Sequence, residues 1–309
     1  MRQCTIRIRM VALVNKEIME NRLLLGDCLD VMKGMDTGSI DLIYSDPPYN
    51  TGVDWGEFND EWSPDDVKGE WLVELEAAHP SITLLIKIIM REKGLGAWSY
   101  MAMILVRLFE MRRILKDSGS TYIHVDQGMS HYVKLGMDII FGRHKFQNEI
   151  IWAYRTGGVS KSRFARKHDN IFFYTKTDKY TFNESREKSY VSATSAGMKA
   201  YGHKGKEYML LEDEGGVYRQ VVMRDVWHID ATGTVSHERL GYPTQKPLEL
   251  LKRIVAASSN EGDVVLDPFC GSGTTLLAAQ SMNRRWIGID KNPNAIRIAE
   301  SRLHQRTLL

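Results

Sequence analysis

Residues 45–50 read SDPPYN, directly behind the apolar run 40–44. Proline has no amide to donate, so a Pro pair cannot continue a central β-ladder, and the chain must leave the sheet there. Asp46 then stands at the carboxyl edge of a buried strand, where α/β proteins place ligands. The prolines stiffen the turn and remove donors. What remains is a row of acceptors, the Asp46 carboxylate and the carbonyls around Pro47 and Pro48, beside the flat π-face of Tyr49. Acceptors next to a stacking platform suit a planar ring that carries an amino group. Such an amine is a poor nucleophile, because its lone pair is delocalised into the ring. Accepting its two N–H bonds draws the nitrogen toward sp³ and frees the lone pair to attack an electrophilic carbon held in line. This chemistry needs position and electrostatics, with no metal and no covalent intermediate. Taken alone, the motif is also compatible with a plain Pro-Pro turn.

A second pattern lies near the other end. In VVLDPFCGSGTTLLAAQ a buried strand ends at Asp267, a glycine-rich turn follows, and a helix starts. The glycines permit a tight turn and close approach of a ligand to the backbone. Roughly 20 residues on, where doubly wound folds place an acid for ribose hydroxyls, WIGID ends at Asp290. The spacing suggests a cofactor that contains a nucleoside. CGSGTT lacks the third glycine of a dinucleotide fingerprint and the lysine of a P-loop, which counts against both hydride transfer and phosphate cradling. Asp267 either caps the turn or faces the cofactor. Cys270 reads as a small packing residue, because direct attack by a ring amine needs no thiol nucleophile. His124, in an apolar strand, reads as a satisfied core histidine.

The elements that must position these residues follow from periodicity. A short strand at 22–25 leads to a helix near Leu29, the buried strand 40–44, and a loop over 51–64. Helical stretches follow at about 65–93 and 98–116, then a strand at 121–125 and a helix over 131–142. Strands at 149–154 and 170–175 flank a basic loop. Between 177 and 237 the periodicity weakens. Pro247 opens an amphipathic helix, followed by strand 264–266, helix 274–282, strand 286–289 and helix 295–303. Strands alternating with helices predict a mainly parallel sheet covered on both faces.

The net charge is only +2, but residues 155–206 carry 12 Lys/Arg and 4 Asp/Glu, a local +8 against −6 for the rest. A basic segment in a mildly acidic body suits either a polyanion or a solvated loop. Cys4, Cys28 and Cys270 are odd in number and not at metal-ligand spacing, which argues against a disulfide framework or a zinc site. The densest apolar run, 82–90, is too short to span a bilayer. Residues 1–20 lack the apolar core and cleavage site of a signal peptide, and a reducing cytoplasm is the expected setting.

SDPPYN resembles the catalytic motif of DNA amino-methyltransferases, and DPFCGSGTT resembles their cofactor motif. The catalytic motif comes first here, an order similar to the circularly permuted β class of adenine-N6 and cytosine-N4 enzymes. GDCLDVM, RRILKDSGSTYIHVD, EIIWAYRTGG, KHDNIFFYTK and HERLGYPTQKPLELLKRIV agree, so the resemblance covers about 22–303. It implies a Rossmann-like fold that binds S-adenosylmethionine, with an inserted target-recognition region. The expected division is 20–176 for the catalytic part, 177–238 for recognition and 239–305 for the cofactor-binding part of the same domain.

Carried over residue by residue, the resemblance gives Asp46 and the Pro47 carbonyl the two N–H bonds of the target amine, with Pro48 shaping the turn and Tyr49 stacking on a flipped base. Phe269, Gly271, Gly273 and Thr274 would line the cofactor, and Asp290 would hold its ribose. Thr244 and Lys246 would meet the methionyl end, with Lys246 pairing its carboxylate. Asp27 and Cys28 would approach its adenine. Arg155, Lys161, Arg163, Arg166 and Lys167 would contact phosphates of double-stranded DNA. DPPY leans to adenine and SPPY to cytosine, so adenine N6 is the expected target and cytosine N4 the alternative. A non-catalytic DNA-binding relative would have lost cofactor binding, and enzymes acting on RNA or protein usually carry the cofactor motif first. The apolar segment 80–96 reads as an extra core helix or a dimer contact, and a homodimer and a cognate restriction endonuclease are further expected partners.

Overall fold

The computed structural model of the chain describes residues 21–49, 63–155, 159–191, 210–232 and 238–305. The N-terminal segment 1–20, Asn50, most of the loop expected at 51–64, and Gly157 and Gly158 lie outside the described residues.

Strand β1 (Arg22–Leu25) leads to helix α1 (Cys28–Lys33), whose first turn is capped by Asp27 accepting the Leu29 amide at 2.8 Å. Strand β2 (Ile40–Ser45) is buried along its whole length. The single helix expected over 65–93 is instead two, α2 (Glu70–Ala78) and α3 (Pro80–Lys93). Pro80 has no amide for the ladder and pushes His79 out of the helical region, to φ −137° and ψ 78°. Helix α3 buries Ile82, Leu85, Ile86 and Ile89, so the unusually apolar segment contributes a core face. Helix α4 (Leu95–Ile114) follows after Gly94 and is buried on most of its circumference.

Next come β3 (Leu115–Val125), α5 (Ser130–Met137), β4 (Phe146–Ala153) and β5 (His168–Thr175). The weakly periodic region holds a small antiparallel sheet of β6 (Arg186–Tyr190), β7 (Leu211–Asp213) and β8 (Gly216–Val222), with β8 in the middle. Strand β9 (Val226–His228) then rejoins the main sheet beside β4. Helix α6 (Leu248–Ser258), β10 (Val264–Asp267), α7 (Thr274–Ser281), β11 (Arg285–Asp290) and α8 (Pro293–Gln305) complete the chain.

The main sheet runs β1-β11-β10-β2-β3-β5-β4-β9, and only β5 is antiparallel to its neighbours. This is the mainly parallel α/β architecture that the alternation of elements predicts. Side chains alternate across it. Ile43 packs into the core shared with α1, α3, α4 and α5, whereas Leu42 and Tyr44 join the core under α6 and α7. Among the described residues no helix is long and apolar enough to cross a membrane.

The order of β10 and β2 positions the chemistry. They lie side by side and parallel, Val265 opposite Leu42 and Leu266 opposite Ile43. The chain leaves β10 toward β11 on one side, and leaves β2 toward β3 on the other. That reversal opens a crevice at the carboxyl ends of the two strands. Asp267 ends β10 and Asp46 follows β2, so the two sequence motifs meet there.

Candidate active site

The Asp46 carboxylate is held from two sides. Tyr49 OH donates to Oδ1 at 2.5 Å, and the Lys246 ammonium lies 2.5 Å from Oδ2. Both members of the ion pair are largely buried, with 16% of the Asp46 side chain and 10% of the Lys246 side chain exposed, so the contact is far less screened than a surface pair. Lys246 also sits 5.2 Å from the centre of the Tyr49 ring. Burial, then the charge of Asp46, pushes the Tyr49 phenol well above its ordinary range, so it stays a donor. Lys246 was expected on a cofactor carboxylate; here its charge rests on Asp46. It arrives from the turn before α6, where Thr244 takes a left-handed φ of 59°, unusual for a β-branched residue.

Beneath this loop lies a buried polar chain. Tyr44 OH meets His124 Nδ1 at 2.8 Å, and His124 Nε2 meets Asp169 Oδ2 at 3.3 Å. Tyr154 OH donates to the other Asp169 oxygen at 3.3 Å, and Trp152 packs edge-on to the His124 ring at 5.3 Å. Burial works to raise the Asp169 carboxyl, but the hydrogen bond and charge of His124, helped by Lys246, outweigh it and hold the group below its ordinary value. His124 is a satisfied buried histidine, as its apolar strand suggests, yet its partners tie it to the floor of the site, with Tyr49 at 6.2 Å between ring centres.

Across the crevice, Asp267 is almost wholly buried. It accepts the Phe269 amide at 3.1 Å and the Thr275 hydroxyl at 2.5 Å. Burial, opposed by these bonds and reinforced by Asp46 and Asp290, lifts its carboxyl to about 7. Asp290 accepts the Gly271 amide and the Asn292 amide at 2.9 and 2.8 Å, and burial raises it too. Each Asp290 oxygen retains acceptor capacity for a diol. Gly271 needs its φ of 48°, and a Cβ there would come within 3.1 Å of the Tyr242 ring, which covers the turn. Gly273 is required for another reason than ligand approach. With φ 76°, a Cβ there would lie 2.9 Å from Ala299 of α8. The Thr274 hydroxyl accepts from Arg302 of α8 at 2.7 Å, which ties the turn to that helix. Cys270 is buried, and burial lifts its thiol well above the ordinary range, consistent with packing.

Asp27 and Cys28 are organised by a residue that periodicity does not mark. Arg107, 2% exposed within α4, donates to both Asp27 oxygens at 2.7 Å and to Cys28 Sγ at 3.2 Å. Its signal was a lone cation deep in an apolar helix. Asp169, Tyr242 and Arg302 were also missed. Asp169 was the one acid inside KHDNIFFYTK, next to a histidine.

The crevice fits a cationic nucleoside in its donor set. Asp46, Asp267 and Asp290 act on one another electrostatically across it, and Lys246 is the cation beside them. Asp46 and Asp290, with the Asp267 carboxyl titrating near neutrality beside them, outnumber the one ammonium and favour a positively charged guest.

The basic residues divide. Arg155 pairs with Asp230, with Nε 3.0 Å from Oδ1, and Lys167 donates to the Arg155 carbonyl at 2.7 Å. Lys161, Arg163 and Arg166 have no side-chain partner among the described residues.

Comparison with known proteins agrees with this geometry. A family model described as DNA methylase, of the N6/N4 type, matches residues 40–301. The type II methyltransferase M.HpaI of Haemophilus parainfluenzae is 31% identical over 291 residues, covering 92% of this chain and 74% of its own. The DNA adenine methyltransferase YhdJ of Escherichia coli (strain K12) is 31% identical over 280 residues, covering 90% and 81%. Among solved structures, the cytosine-N4-specific PvuII DNA methyltransferase superposes with a TM-score of 0.59 at 14% identity, covering 92% of this chain and 86% of that one. The M1.HpyAVI–SAM complex gives 0.54 at 18%, covering 91% and 98%. At such identities the structures speak for the fold alone, that of the Rossmann-like methyltransferases. The family match, which begins at β2 and runs through both halves of the crevice, decides the rest: the chain belongs to the N6/N4 family of DNA methylases.

Proposed function

We propose that this chain transfers the methyl group of S-adenosylmethionine to N6 of an adenine flipped out of duplex DNA, at a specific site. One observation carries the reading. Asp46 and Asp267 stand at the ends of adjacent parallel strands across a switch-point crevice, so an amine held on one side faces a donor held on the other. When bound, S-adenosylmethionine supplies a methyl carbon made electrophilic by its sulfonium.

The chain's own residues do the rest. Asp46 and the Pro47 carbonyl accept the two N–H bonds of the amine, and Tyr49 stacks on the base. Lys246 and the Tyr49 hydroxyl fix the carboxylate, and each oxygen keeps a lone pair for the substrate. With both N–H bonds accepted, the nitrogen lone pair would be free for the methyl carbon that the donor supplies, and Asp46 would take the proton released from the amine and pass it to solvent. In this reading Asp290 would take the ribose hydroxyls, Asp267 and Phe269 the methionyl side, and Asp27 with Cys28 the adenine of the donor.

Adenine is favoured by Asp46 in DPPY and by the E. coli relative, a DNA adenine methyltransferase. Lys161, Arg163 and Arg166 carry phosphate contact. The division into 20–176, 177–238 and 239–305 belongs to this reading, with the small β6-β8-β7 sheet as the recognition element. A cognate endonuclease is proposed from the type II relatives, and a homodimer from the exposed Leu84 and Ile88 of α3. The cytoplasm is the proposed setting, in keeping with a DNA substrate.

The test uses labelled S-adenosylmethionine and mixed-sequence duplex DNA, followed by nucleoside chromatography, with wild type and Asp46→Ala side by side. Label in N6-methyladenine that disappears in the variant is expected. Label in N4-methylcytosine would keep the mechanism and overturn the target. No label despite donor binding would overturn DNA as substrate.

A further inference from the structure

The loop between β4 and β5 shows an apolar feature that neither packing nor phosphate contact explains. Phe164 is 98% exposed and Val159 95% exposed, the two most exposed of the large hydrophobic side chains among the described residues. Around them stand Lys161, Arg163 and Arg166, none with a side-chain partner among the described residues. A phenylalanine left in water with no apolar neighbour is an unmet burial of large area. Its cationic neighbours make a second copy of this loop a poor cover and a polyanion a good one.

The neck of the loop is fastened. The Tyr154 amide donates to the Lys167 carbonyl at 3.0 Å, Lys167 Nζ donates to the Arg155 carbonyl at 2.7 Å, and Arg155 pairs with Asp230 just beyond β9. Within the loop, the Arg163 amide donates to Ser160 Oγ at 3.2 Å, turning the chain before Phe164. The base of the loop is therefore fixed while its aromatic side chain projects. Its position is fixed too. Strand β4 pairs with antiparallel β5, which pairs with β3, itself parallel to β2. The loop thus emerges at the carboxyl edge where Asp46 lies, three strands along. At about 4.8 Å per strand that is on the order of 15 Å, within the footprint of a few base pairs. At the foot of the loop, Arg166 lines a cavity of about 380 Å³ together with Gln127, His131, His168, Asn170 and the acid Glu149.

We infer that Phe164 is the wedge that enters the base stack beside the target and fills the gap left when the base swings out, while Arg163 and Arg166 hold the flanking backbone. Flat aromatic and apolar side chains inserted between base steps do this work in duplex-distorting proteins. The inference rests on the reading of the chain as a DNA-adenine methyltransferase, and makes Phe164 a positioning residue, not a catalytic one.

The test uses the full chain and a duplex carrying a site mapped by sequencing plasmid DNA that the wild type has methylated. Two forms are compared: the fully paired duplex, and one with an abasic position opposite the target, where extrusion is already easy. On the paired duplex Phe164→Ala should lower kcat/KM on the order of ten- to hundredfold, the scale of one lost base-stacking contact. On the abasic duplex it should return to within about threefold of wild type, because little unstacking remains to be driven. Phe164→Trp should retain activity on both. With 2-aminopurine at the target, wild type should give a fluorescence rise that Phe164→Ala loses. Since Phe164 is solvent-exposed, matched thermal melts are expected for all three proteins. Equal activity of Phe164→Ala and wild type on the paired duplex overturns the inference. So does an equal deficit on both duplexes, which marks a general DNA contact. Failure of the wild type to methylate any duplex refutes the functional reading itself.

Discussion

Asp267→Asn should make the protein more stable at pH 8 and leave its stability unchanged at pH 4. Burial lifts the Asp267 carboxyl from 3.8 to about 7, against the pull of its two hydrogen bonds. The folded state therefore holds a proton that the unfolded chain has already released. Between those two values the native state binds more protons than the unfolded state, so stability falls as pH rises. The contribution is complete below about pH 4 and is lost as pH rises through about 7. At about 1.4 kcal/mol per pH unit the window is worth up to about 4 kcal/mol. Asparagine removes the titration and keeps the contacts. Its Oδ1 can accept the Phe269 amide, and its Nδ2 can donate to the Thr275 hydroxyl, which rotates to accept. Urea unfolding of both proteins from pH 4 to pH 8 measures the difference. Wild type should lose stability across this range relative to the variant, with the gap reaching a few kcal/mol by pH 8. Parallel curves would refute the assignment of a protonated, buried carboxyl.

Three further outcomes follow from named contacts. Arg107→Met should cost about 3 kcal/mol of unfolding free energy, discounted because a third of the Asp27 side chain faces water and can rehydrate; adding Asp27→Asn, which keeps the cap, should recover part of it in denaturant melts. Thr244→Gly should relieve the left-handed φ and raise stability by about 1 kcal/mol, yet lower donor affinity by loosening the turn that carries Lys246, a split that melts and equilibrium binding together would show. Cys270→Ala should keep kcat within about threefold, since the buried thiol is held protonated and takes no part in bonding to substrate; a loss beyond a hundredfold in methyl-transfer assays would implicate it in the chemistry.

The strands were legible because a buried parallel strand writes itself as a short apolar run closed by a breaker. Ile40–Ser45 before two prolines and Val264–Asp267 before the glycine turn are such runs. The break at Pro80 was less legible, since apolar periodicity continues across it, but the absent amide of one residue is enough to divide α2 from α3. Sheet β6-β8-β7 escaped because its strands are short and half exposed, with little apolar contrast to read. In the site, the acids were legible from their places after strands. Their partners were not. Lys246 on Asp46 and Arg107 on Asp27 join residues far apart in the chain, a pairing that only the strand order brings about.

That strand order also explains why the two motifs can stand in reversed sequence. The crevice requires two adjacent parallel strands whose connections leave in opposite directions, and nothing in that requirement sets which strand is made first. Strand β10 supplies one wall and β2 the other, although 218 residues, 46–263, lie between them. What the permutation changes is which connection is free to grow. Here the long excursion lies between β5 and α6, and β9 returns from it to pair with β4, parallel to it and ending at the same carboxyl edge. The ion pair of Asp230 with Arg155 then fastens the end of that excursion to the neck of the loop that carries Phe164. The region proposed to read a duplex and the loop proposed to distort it are thereby joined by an ion pair. Cutting the joint with Arg155→Ala should loosen the loop without touching either wall of the crevice. The expected result is weaker discrimination between paired and unpaired targets, with donor affinity intact. A fall in donor affinity instead would place Arg155 in the support of the crevice and refute this coupling.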